Sequence, residues 1–360
     1  MIKQARKEYV PRDIEKQVQD YWRRTKAYEK TRKLRAGGKD FYFVDGPPFT
    51  TGSIHLGTAL NKTIKDAVVR WRRMQGFNVR DQPGYDMHGL PIEVQVERSL
   101  GITNKREIEA LGIEKFVTTC RQFSLDLLAK MTEQFQALGI WLDWDSPYMT
   151  IRNEFIEAEW STLKRAHERG LLTKDTRSLQ WCTRCETALA EAELEYSDET
   201  DPSIYVRFPL KDRPDESLVI WTTTPWTLPA NLAVAVHPDF PYARLDPGTG
   251  GSLWILEETA NQVLASAGLA GHIVERKKGS ELVGWAYTYP LAEKVPYHAT
   301  VSAEKAHTVL ASTAVTAEHT GFVHTAPGHG PEDFSLGKSN GLPPFSPVDE
   351  RGVYTAEAGA

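Results

Sequence analysis

The sequence predicts an α/β protein of two domains, the first built on parallel strands joined by helices and the second rich in short strands. Three observations support this prediction. A strand, a loop, a long amphipathic helix and a second strand follow one another between residues 39 and 81. Beyond Tyr196, helical periodicity gives way to short apolar runs separated by Pro, Gly and Asp. The length of 360 residues exceeds what one typical core supports.

The first elements predict a βαβ unit. Lys39–Asp45 is typical of a buried strand, and the two prolines that follow end it because proline cannot continue a ladder. Apolar residues recur at helical spacing within 58–74, with Lys and Arg between them: Leu60, Ile64, Val68 and Trp71. Phe77–Asp81 predicts a second strand. This order is the strand-helix-strand unit of parallel sheets.

Two further helices and the β-rich half follow. Helices are predicted over 113–138 and 153–169, the second with Asn153 as its N-cap and Gly170 just past its end. The β-rich half contains the runs SIYVRFPL, SLVIWTTT, LAVAVHP and SLWILEE, which are typical of a barrel or sandwich of short strands. The polar segment SDETDPS places the boundary near residues 195 to 200, so we expect domains over 1–195 and 196–360.

Composition sets the broad class. Hydrophobic residues make up 41% and charged residues 25%, which is ordinary for a globular chain and excludes disorder. No stretch reaches the roughly twenty apolar residues of a membrane helix, and the charged start lacks the apolar core of a signal peptide, so we expect a cytoplasmic location. The three cysteines fit a reducing compartment. A net charge of -5 leaves any nucleic-acid contact to local patches.

A possible phosphate site lies where the first strand gives way to the helix. Such a loop lies at the carboxyl edge of a parallel sheet, where open α/β folds bind ligands, and the helix start offers free N–H groups. His55 and Gly57 at this position suit a nucleotide phosphate. On these two residues alone, a surface histidine and a turn glycine are the more common outcome.

Longer motifs carry a family resemblance. PPFTTGSIHLGT with ALNKTIKD (47–66) resembles the adenylate-binding motif of class I aminoacyl-tRNA synthetases, and PGYDMHGLPIE (83–93) narrows the resemblance to the isoleucyl branch. The leucyl and valyl relatives share the layout but differ in that second block. WTTTPWTLPAN (221–231) and GFVHTAPGHGPEDF (321–334) resemble the two halves of that branch's post-transfer editing pocket. With CTRCETALAEAELEY (182–196), the resemblance covers nearly the whole chain in colinear order.

The resemblance implies the first half of a Rossmann-like aminoacylation domain, followed by an inserted, barrel-like editing domain that is incomplete at its C-terminal edge. It implies that Pro47 and Asp86 line the amino-acid site, with Asp86 pairing the substrate's ammonium group. It also implies that ATP, with Mg²⁺, is held at His55, Gly57 and Thr58. The alternative for Asp86 is a turn aspartate that caps its own backbone.

Two departures from the family limit the synthetic reaction. Thr58 stands where the family usually has a second histidine, and a hydroxyl can bond a phosphate oxygen but cannot carry positive charge. The family's Lys-Met-Ser-Lys-Ser-like loop does not occur in this sequence. We therefore expect an N-terminal piece that does not aminoacylate in isolation, where only editing is expected.

Editing is needed because one methylene gives an apolar pocket only a modest preference, for which the isoleucyl enzyme is itself the standard example. Water can attack an ester without a metal if hydroxyls and an imidazole orient it. The resemblance implies that threonines contact the ester and terminal ribose, that His324 sizes the side chain or orients water, and that Asp333 holds the α-ammonium group. The candidate residues are Thr222, Thr223, Thr224, Thr227, Asn231, His324 and Asp333. The alternatives are a β-branched strand end for the threonines and solvated loop positions for His324 and Asp333.

The sequence also indicates which cofactors and partners to expect. Cys182 and Cys185 can fill two of the four positions of a tetrahedral Zn²⁺ site, so we expect a half-site; a redox motif is the alternative. The resemblance implies tRNA(Ile), isoleucine, ATP and, for editing, valine as partners of a monomer that has no membrane contact. Two functions stay open: an editing hydrolase, and a module that binds tRNA acceptor ends without turnover. The valyl or leucyl relative is a further alternative.

Overall fold

The computed structural model describes residues 10–359 and divides the chain into two compact units, one ending at Thr173 and the other beginning at Lys174. Part of the charged start used in the signal-peptide prediction, residues 1–9, lies outside the described residues. Across 10–359, no helix has both the length and the apolar character needed to cross a bilayer. Each unit is described by itself below.

The first unit combines helices with two small parallel sheets. Its helices are α1 (Pro11–Thr25), α2 (Ala27–Arg35), α3 (Leu56–Met74), α4 (Leu90–Leu100), α5 (Lys105–Leu111), α6 (Ile113–Ala137) and α7 (Asn153–Glu168). Its strands are β1 (Asp40–Tyr42), β2 (Asn78–Arg80), β3 (Gly84–Tyr85) and β4 (Tyr148–Met149). β1 pairs in parallel with β2, and β3 pairs in parallel with β4. The predicted βαβ unit is thus confirmed as β1-α3-β2.

The first strand is shorter than the predicted 39–45. The strand ends at Tyr42. Beyond Tyr42, a side chain instead of the backbone makes the hydrogen bond to the neighbouring segment. The Asp45 carboxylate accepts the N–H of Gly84 at 2.9 Å. This segment therefore reaches its neighbour through a carboxylate and forms no ladder there.

The buried face of α3 is not its apolar stripe. Leu60, Ile64, Val68 and Trp71 follow the predicted spacing, but each is between 40% and 59% exposed. The buried residues of the helix are Lys62, Asp66, Val69 and Arg73. The amphipathic pattern thus predicted the helix correctly, but the apolar face of the helix is exposed in this chain.

Buried ion pairs compensate the charges on that face. Lys62 pairs with Asp45, just beyond β1, and both side chains are almost fully buried. Burial lowers the pKa of Lys62 from its ordinary value, although the Asp45 carboxylate opposes this shift. Arg73 pairs with Asp81, just beyond β2, and Asp81 also accepts the hydroxyl of Tyr28 at 2.8 Å. The helix is therefore fastened to both parallel strands by charge.

Two later helices match their predicted ranges, with one correction. α6 and α7 end within a residue of prediction, and Gly170 follows α7 with a φ of 69°. Asn153, however, is the first residue of α7 and not its N-cap. Arg152, the last residue with extended backbone, holds the N-cap position and makes no side-chain cap.

The second unit contains two mixed sheets and a short hairpin. Its strands are β5 (Trp181–Cys182), β6 (Thr187–Ala188), β7 (Ile204–Pro209), β8 (Glu216–Thr222), β9 (Ala233–Val236), β10 (Pro241–Asp246), β11 (Ser252–Leu256), β12 (His272–Lys278), β13 (Thr308–Ala311) and β14 (Phe322–Thr325). Its helices are α8 (Ala260–Ser266), α9 (Gly279–Leu282) and α10 (Pro331–Ser339). Three of the four predicted β-runs contain β7, β9 and β11, and the fourth overlaps β8, which begins one residue before it.

The sheet orders are β12-β10-β11-β8-β7 and β13-β9-β14. β8 pairs in parallel with β11, and β9 pairs in parallel with β13 and antiparallel with β14. One apolar cluster, with Trp254, Phe208 and Tyr287 among its largest members, contains residues from both sheets. Apart from the β5–β6 hairpin, the described strands of this unit form these two mixed sheets, and the barrel stays a prediction.

The division between units falls earlier than the predicted boundary near 195. Segment 174–195 belongs to the second unit, where the indole N–H of Trp181 donates to the carbonyl oxygen of Glu350 at 2.8 Å. Lys338 also pairs with Asp175 at 3.0 Å. These long-range contacts join segment 174–195 to the β-rich unit. The turn-rich composition of 197–203 does not reveal them.

Removal of the Asp45 carboxylate tests the fastening of α3. Asp45→Ala leaves Lys62 buried without its partner, and we expect a loss of about 3 kcal/mol or more in the free energy of unfolding. Urea unfolding followed by far-UV circular dichroism measures it. The control is Asp20→Ala, which removes an exposed ion pair with Arg23 and is expected to change stability by less than about 1 kcal/mol. Equal small losses in both variants would contradict the role of this pair.

Candidate active sites

His55 lies at the start of α3, where the sequence placed it. It is the N-cap residue: its Nδ1 accepts the backbone N–H of Thr58 at 3.3 Å, and its Nε2 lies 2.9 Å from the Thr58 hydroxyl. A Cβ added to Gly57 would come within 3.1 Å of the same ring. Gly57 therefore leaves room for the imidazole to fold over the helix end. The ATP contacts of His55, Gly57 and Thr58 stay predictions.

The predicted amino-acid site brings two loops together. The N–H of Asp86 donates to the carbonyl oxygen of Pro48 at 2.9 Å, and the N–H of Thr50 donates to that of Asp86 at 3.1 Å. Asp86 therefore lies beside the loop that begins at Pro47. Burial raises the pKa of the Asp86 carboxyl, while His88 and the hydroxyl of Thr150 oppose this shift. The N–H of Met87 donates to the Thr150 hydroxyl at 2.9 Å. The backbone N–H groups of Met87 and His88 also oppose the rise of the Asp86 pKa, so the turn-capping alternative stays open.

The threonine segment forms an ordered turn at the end of β8. The N–H of Thr224 donates to the Thr222 hydroxyl at 3.0 Å, and the Thr227 hydroxyl donates to the carbonyl oxygen of Thr224 at 2.8 Å. A 3₁₀ turn over Pro225–Ala230 follows, with proline at its first position. Thr222 and Thr227 are buried, whereas Thr223 and Thr224 are exposed. The exposed pair is thus available to a ligand, and the buried pair shapes the turn.

Strand pairing brings His324 to this turn. On β14, His324 lies opposite Val234 of β9, the strand that leaves the turn. Its Nε2 is 2.9 Å from the Thr227 hydroxyl, and its Nδ1 is 2.8 Å from the amide nitrogen of Asn231. Burial, with a smaller effect of His329, lowers the pKa of His324 to about 4. Two motifs more than ninety residues apart in sequence therefore meet through one neutral imidazole.

Asp333 approaches from the first turn of α10. Its Oδ2 accepts the N–H of Ala326 at 2.8 Å, two residues beyond His324. Within residues 10–359, its Oδ1 has no hydrogen-bond donor and no cation pairs with it. Burial raises the pKa of this carboxyl to about 6. A largely buried carboxylate without a protein cation is costly, and this environment suits a cationic ligand group.

Three supporting residues were missed by the sequence analysis. The Tyr287 hydroxyl donates to Oδ1 of Asn231 at 2.6 Å, and the Tyr289 hydroxyl donates to the carbonyl oxygen of Leu228 at 2.8 Å. His298 Nε2 lies 2.7 Å from the carbonyl oxygen of Pro229. All three are buried beneath the turn. No motif or spacing marks them, because only tertiary contact relates them to the turn.

An aromatic cleft of about 810 Å³ adjoins the turn, and Trp181, Trp226 and His329 are among its lining residues. Trp226 is half exposed and meets His329 edge-on, with ring centroids 5.2 Å apart. Exposed aromatic faces of this kind can stack on nucleobases. Trp221 instead stacks on His319 at 3.5 Å, which is a packing role.

The cysteine pair does not build a zinc site. The N–H of Cys185 approaches the Cys182 sulfur at 3.4 Å, so the two residues share one tight turn. In the described part of the chain, no group of three or more His, Cys, Asp or Glu side chains is arranged for a metal ion. A structural zinc site needs four ligands, so these two thiols supply half of one. The residues present do not fit a resident zinc ion.

Comparison with known proteins decides the family. Residues 17–326 match the family described as "tRNA synthetases class I (I, L, M and V)". The chain belongs to this family. The match includes the loop before α3, the threonine turn and His324, and it ends before Asp333.

Individual relatives of this class I chain are similar along nearly all of it. The isoleucine–tRNA ligase of Thermococcus kodakarensis is 54% identical over 97% of the chain and 34% of its own length. That of Pyrococcus abyssi is 53% identical over 99% of the chain and, again, 34% of its own length. The chain thus spans about a third of the length of the curated relatives that it matches.

Structural similarity is weaker. A solved ternary complex of Agrobacterium radiobacter K84 agnB2 LeuRS with tRNA and LeuAMS covers 94% of this class I chain and 44% of its own, with 17% identity and a TM-score of 0.42. That value is too low to support a comparison of the two folds.

The raised pKa of Asp333 predicts a pH-dependent stability. Its value of about 6 lies above the ordinary 3.8, so the folded state holds the proton more tightly than the unfolded state. Stability from this group is full below pH 4 and is lost as pH rises through 6, a change of about 3 kcal/mol. Asp333→Asn removes this titration, so the free energy of unfolding of the variant, relative to that of the parent chain, should rise by about 2 kcal/mol between pH 4 and pH 7.

Urea unfolding at both pH values measures the effect. Asp239→Asn, at an exposed position of the same unit, controls for the loss of a carboxyl group. A difference between Asp333→Asn and the parent chain that is the same at pH 4 and pH 7 would exclude the raised pKa.

Proposed function

We propose that this chain is the part of an isoleucine–tRNA ligase that carries the first half of the synthetic site and an editing site for valine attached to tRNA(Ile). Support comes from isoleucine–tRNA ligases that are 50% to 54% identical over nearly all of the chain. Family membership also supports ATP with Mg²⁺ as the source of activation. The valyl and leucyl alternatives lose support because the relatives with this identity carry the isoleucine name.

On the synthetic side, Asp86 would pair the ammonium group of isoleucine, whose side chain lies against the loop that begins at Pro47. The free N–H groups at the start of α3 and the Thr58 hydroxyl would contact ATP phosphates. Because His55 is bonded to Thr58 in the free chain, nucleotide binding would exchange that contact for one to phosphate. A neutral hydroxyl at Thr58 contributes a hydrogen bond but no charge to the transition state.

The Asp333 carboxylate, which has no cation partner among residues 10–359, carries the editing proposal. Above pH 6 it is ionised, and its free Oδ1 would hold the α-ammonium group of the valyl ester. The exposed hydroxyls of Thr223 and Thr224 would then orient the ester carbonyl and a water molecule. Water adds to the carbonyl carbon, the bond to the ribose oxygen breaks, and a proton passes to that oxygen, which gives valine and tRNA. The cleft at Trp226 offers a stacking surface for the terminal nucleotides.

Deacylation of Val-tRNA(Ile) by this chain is the first test. We expect valyl-selective hydrolysis, with Ile-tRNA(Ile) as the control substrate, and a fall of at least about a hundredfold in kcat/KM in Asp333→Ala because the ammonium loses its counter-charge. Asp239→Ala, an exposed residue of the same unit, should retain the parental rate. Initial rates of release of labelled valine at pH 7.5 provide the measurement.

The same assay separates hydrolysis from simple binding. A chain that binds the acceptor end in a gel-shift assay but hydrolyses no faster than Asp333→Ala would be a binding module that needs further protein for turnover. Equal hydrolysis of the valyl and isoleucyl esters would contradict an editing role.

A further inference from the structure

A buried chain of hydrogen bonds crosses the second unit beneath the threonine turn. It begins at the Tyr287 hydroxyl, which is 2.6 Å from Oδ1 of Asn231. The amide nitrogen of Asn231 is 2.8 Å from His324 Nδ1, and His324 Nε2 is 2.9 Å from the Thr227 hydroxyl. The Thr227 hydroxyl is in turn 2.8 Å from the carbonyl oxygen of Thr224. The side chains of this series are less than a tenth exposed from Tyr287 to Thr227.

Two backbone carbonyl oxygens fix the direction of every bond, because a carbonyl oxygen can only accept. The carbonyl oxygen of Ala233 lies 2.9 Å from the Asn231 amide nitrogen, so the NH₂ end of this side chain faces it and also faces His324 Nδ1. Nδ1 must then accept, which leaves the imidazole proton on Nε2. That proton goes to the Thr227 oxygen, and the Thr227 hydroxyl proton goes to the carbonyl oxygen of Thr224.

This arrangement leaves His324 no free lone pair for water. Its one unprotonated nitrogen is taken by the Asn231 amide, and its other nitrogen is a donor to Thr227. Besides these neutral groups, the titratable side chain that acts on His324 is His329, whose positive form would further oppose protonation. The imidazole is therefore placed to transmit position rather than to remove a proton.

We propose that Tyr287 and Asn231 are positioning residues of the editing site, which hold His324 as a neutral Nε2–H imidazole and through it fix the carbonyl of Thr224 and the exposed hydroxyls of the turn. The proposal rests on the proposed editing function for its kinetic consequence. It assigns no base to His324 and gives the otherwise unassigned Tyr287 a role 56 residues away from Asn231 in sequence.

The tautomer is measurable without any activity. In long-range ¹H–¹⁵N correlation spectra of the ¹⁵N-labelled chain, with His324→Gln to assign the signal, we expect the Nε2–H pattern. We also expect no titration of His324 between pH 5 and pH 8. An Nδ1–H pattern, or a midpoint within this range, would overturn the proposed hydrogen-bond series even if the chain edits as proposed.

The positioning role is tested by a matched pair of tyrosine variants. Tyr287→Phe leaves Asn231 Oδ1 without its donor, and we expect kcat for Val-tRNA(Ile) deacylation to fall about tenfold with little change in KM, because one buried hydrogen bond is lost. The His324 signals should shift in this variant. Tyr242→Phe removes an equally buried hydroxyl, bonded to the carbonyl oxygen of Gly321, and should stay within about twofold of the parent with unchanged His324 signals.

The outcomes distinguish a failure of the positioning role from a failure of the editing function. Equal losses in both tyrosine variants, or an unchanged kcat in Tyr287→Phe, would reduce Tyr287 to a packing residue and overturn its role. A parent chain that does not hydrolyse the valyl ester would defeat the editing function, and the spectra would still decide the direction of the hydrogen bonds. In the double variant Tyr287→Phe with Thr227→Val, we expect a loss smaller than the product of the single losses, because both changes break one series.

Discussion

The antiparallel pairing of β14 with β9 is the constraint on which the second unit's candidate site depends. It sets His324 opposite Val234 and is extended by the N–H of Leu232, which donates to the carbonyl oxygen of Thr325. A strand register is strict, since a shift of one residue would turn His324 to the other face. The register therefore decides whether the imidazole meets the turn at all.

Polar groups buried beneath the turn make this strand register specific. An apolar interface would tolerate small shifts, but each polar atom here has a partner with defined direction. Asn231 is fully buried and uses its amide nitrogen for two acceptors while its oxygen accepts the hydroxyl of Tyr287. These hydrogen bonds hold the turn in one arrangement. The positions of the exposed Thr223 and Thr224 therefore depend on buried groups.

The inner face of α3 in the first unit uses charge, whereas the threonine turn of the second unit rests on neutral hydrogen bonds. The inner face of α3 carries Lys62, Asp66 and Arg73, and their partners lie just beyond the parallel strands or on the same helix. Such pairs give little net stability but strongly penalise any arrangement that leaves one charge alone. Asp333 shows the opposite case: no cation of the described part of the chain pairs with its carboxylate, and burial raises its pKa.

Local sequence determined much of this protein. The ranges of α6 and α7, the position of His55 at the start of α3 and the turn at Pro225 follow from periodicity, capping and proline geometry, which act between residues a few positions apart. The family motifs likewise mark the threonines, His324 and Asp333 as candidate site residues. Tertiary structure alone decided which face of α3 is buried, that Tyr287 supports Asn231, and how the pKa values of His324 and Asp333 shift. These properties depend on desolvation and on partners tens of residues away, and no local pattern of side chains encodes them.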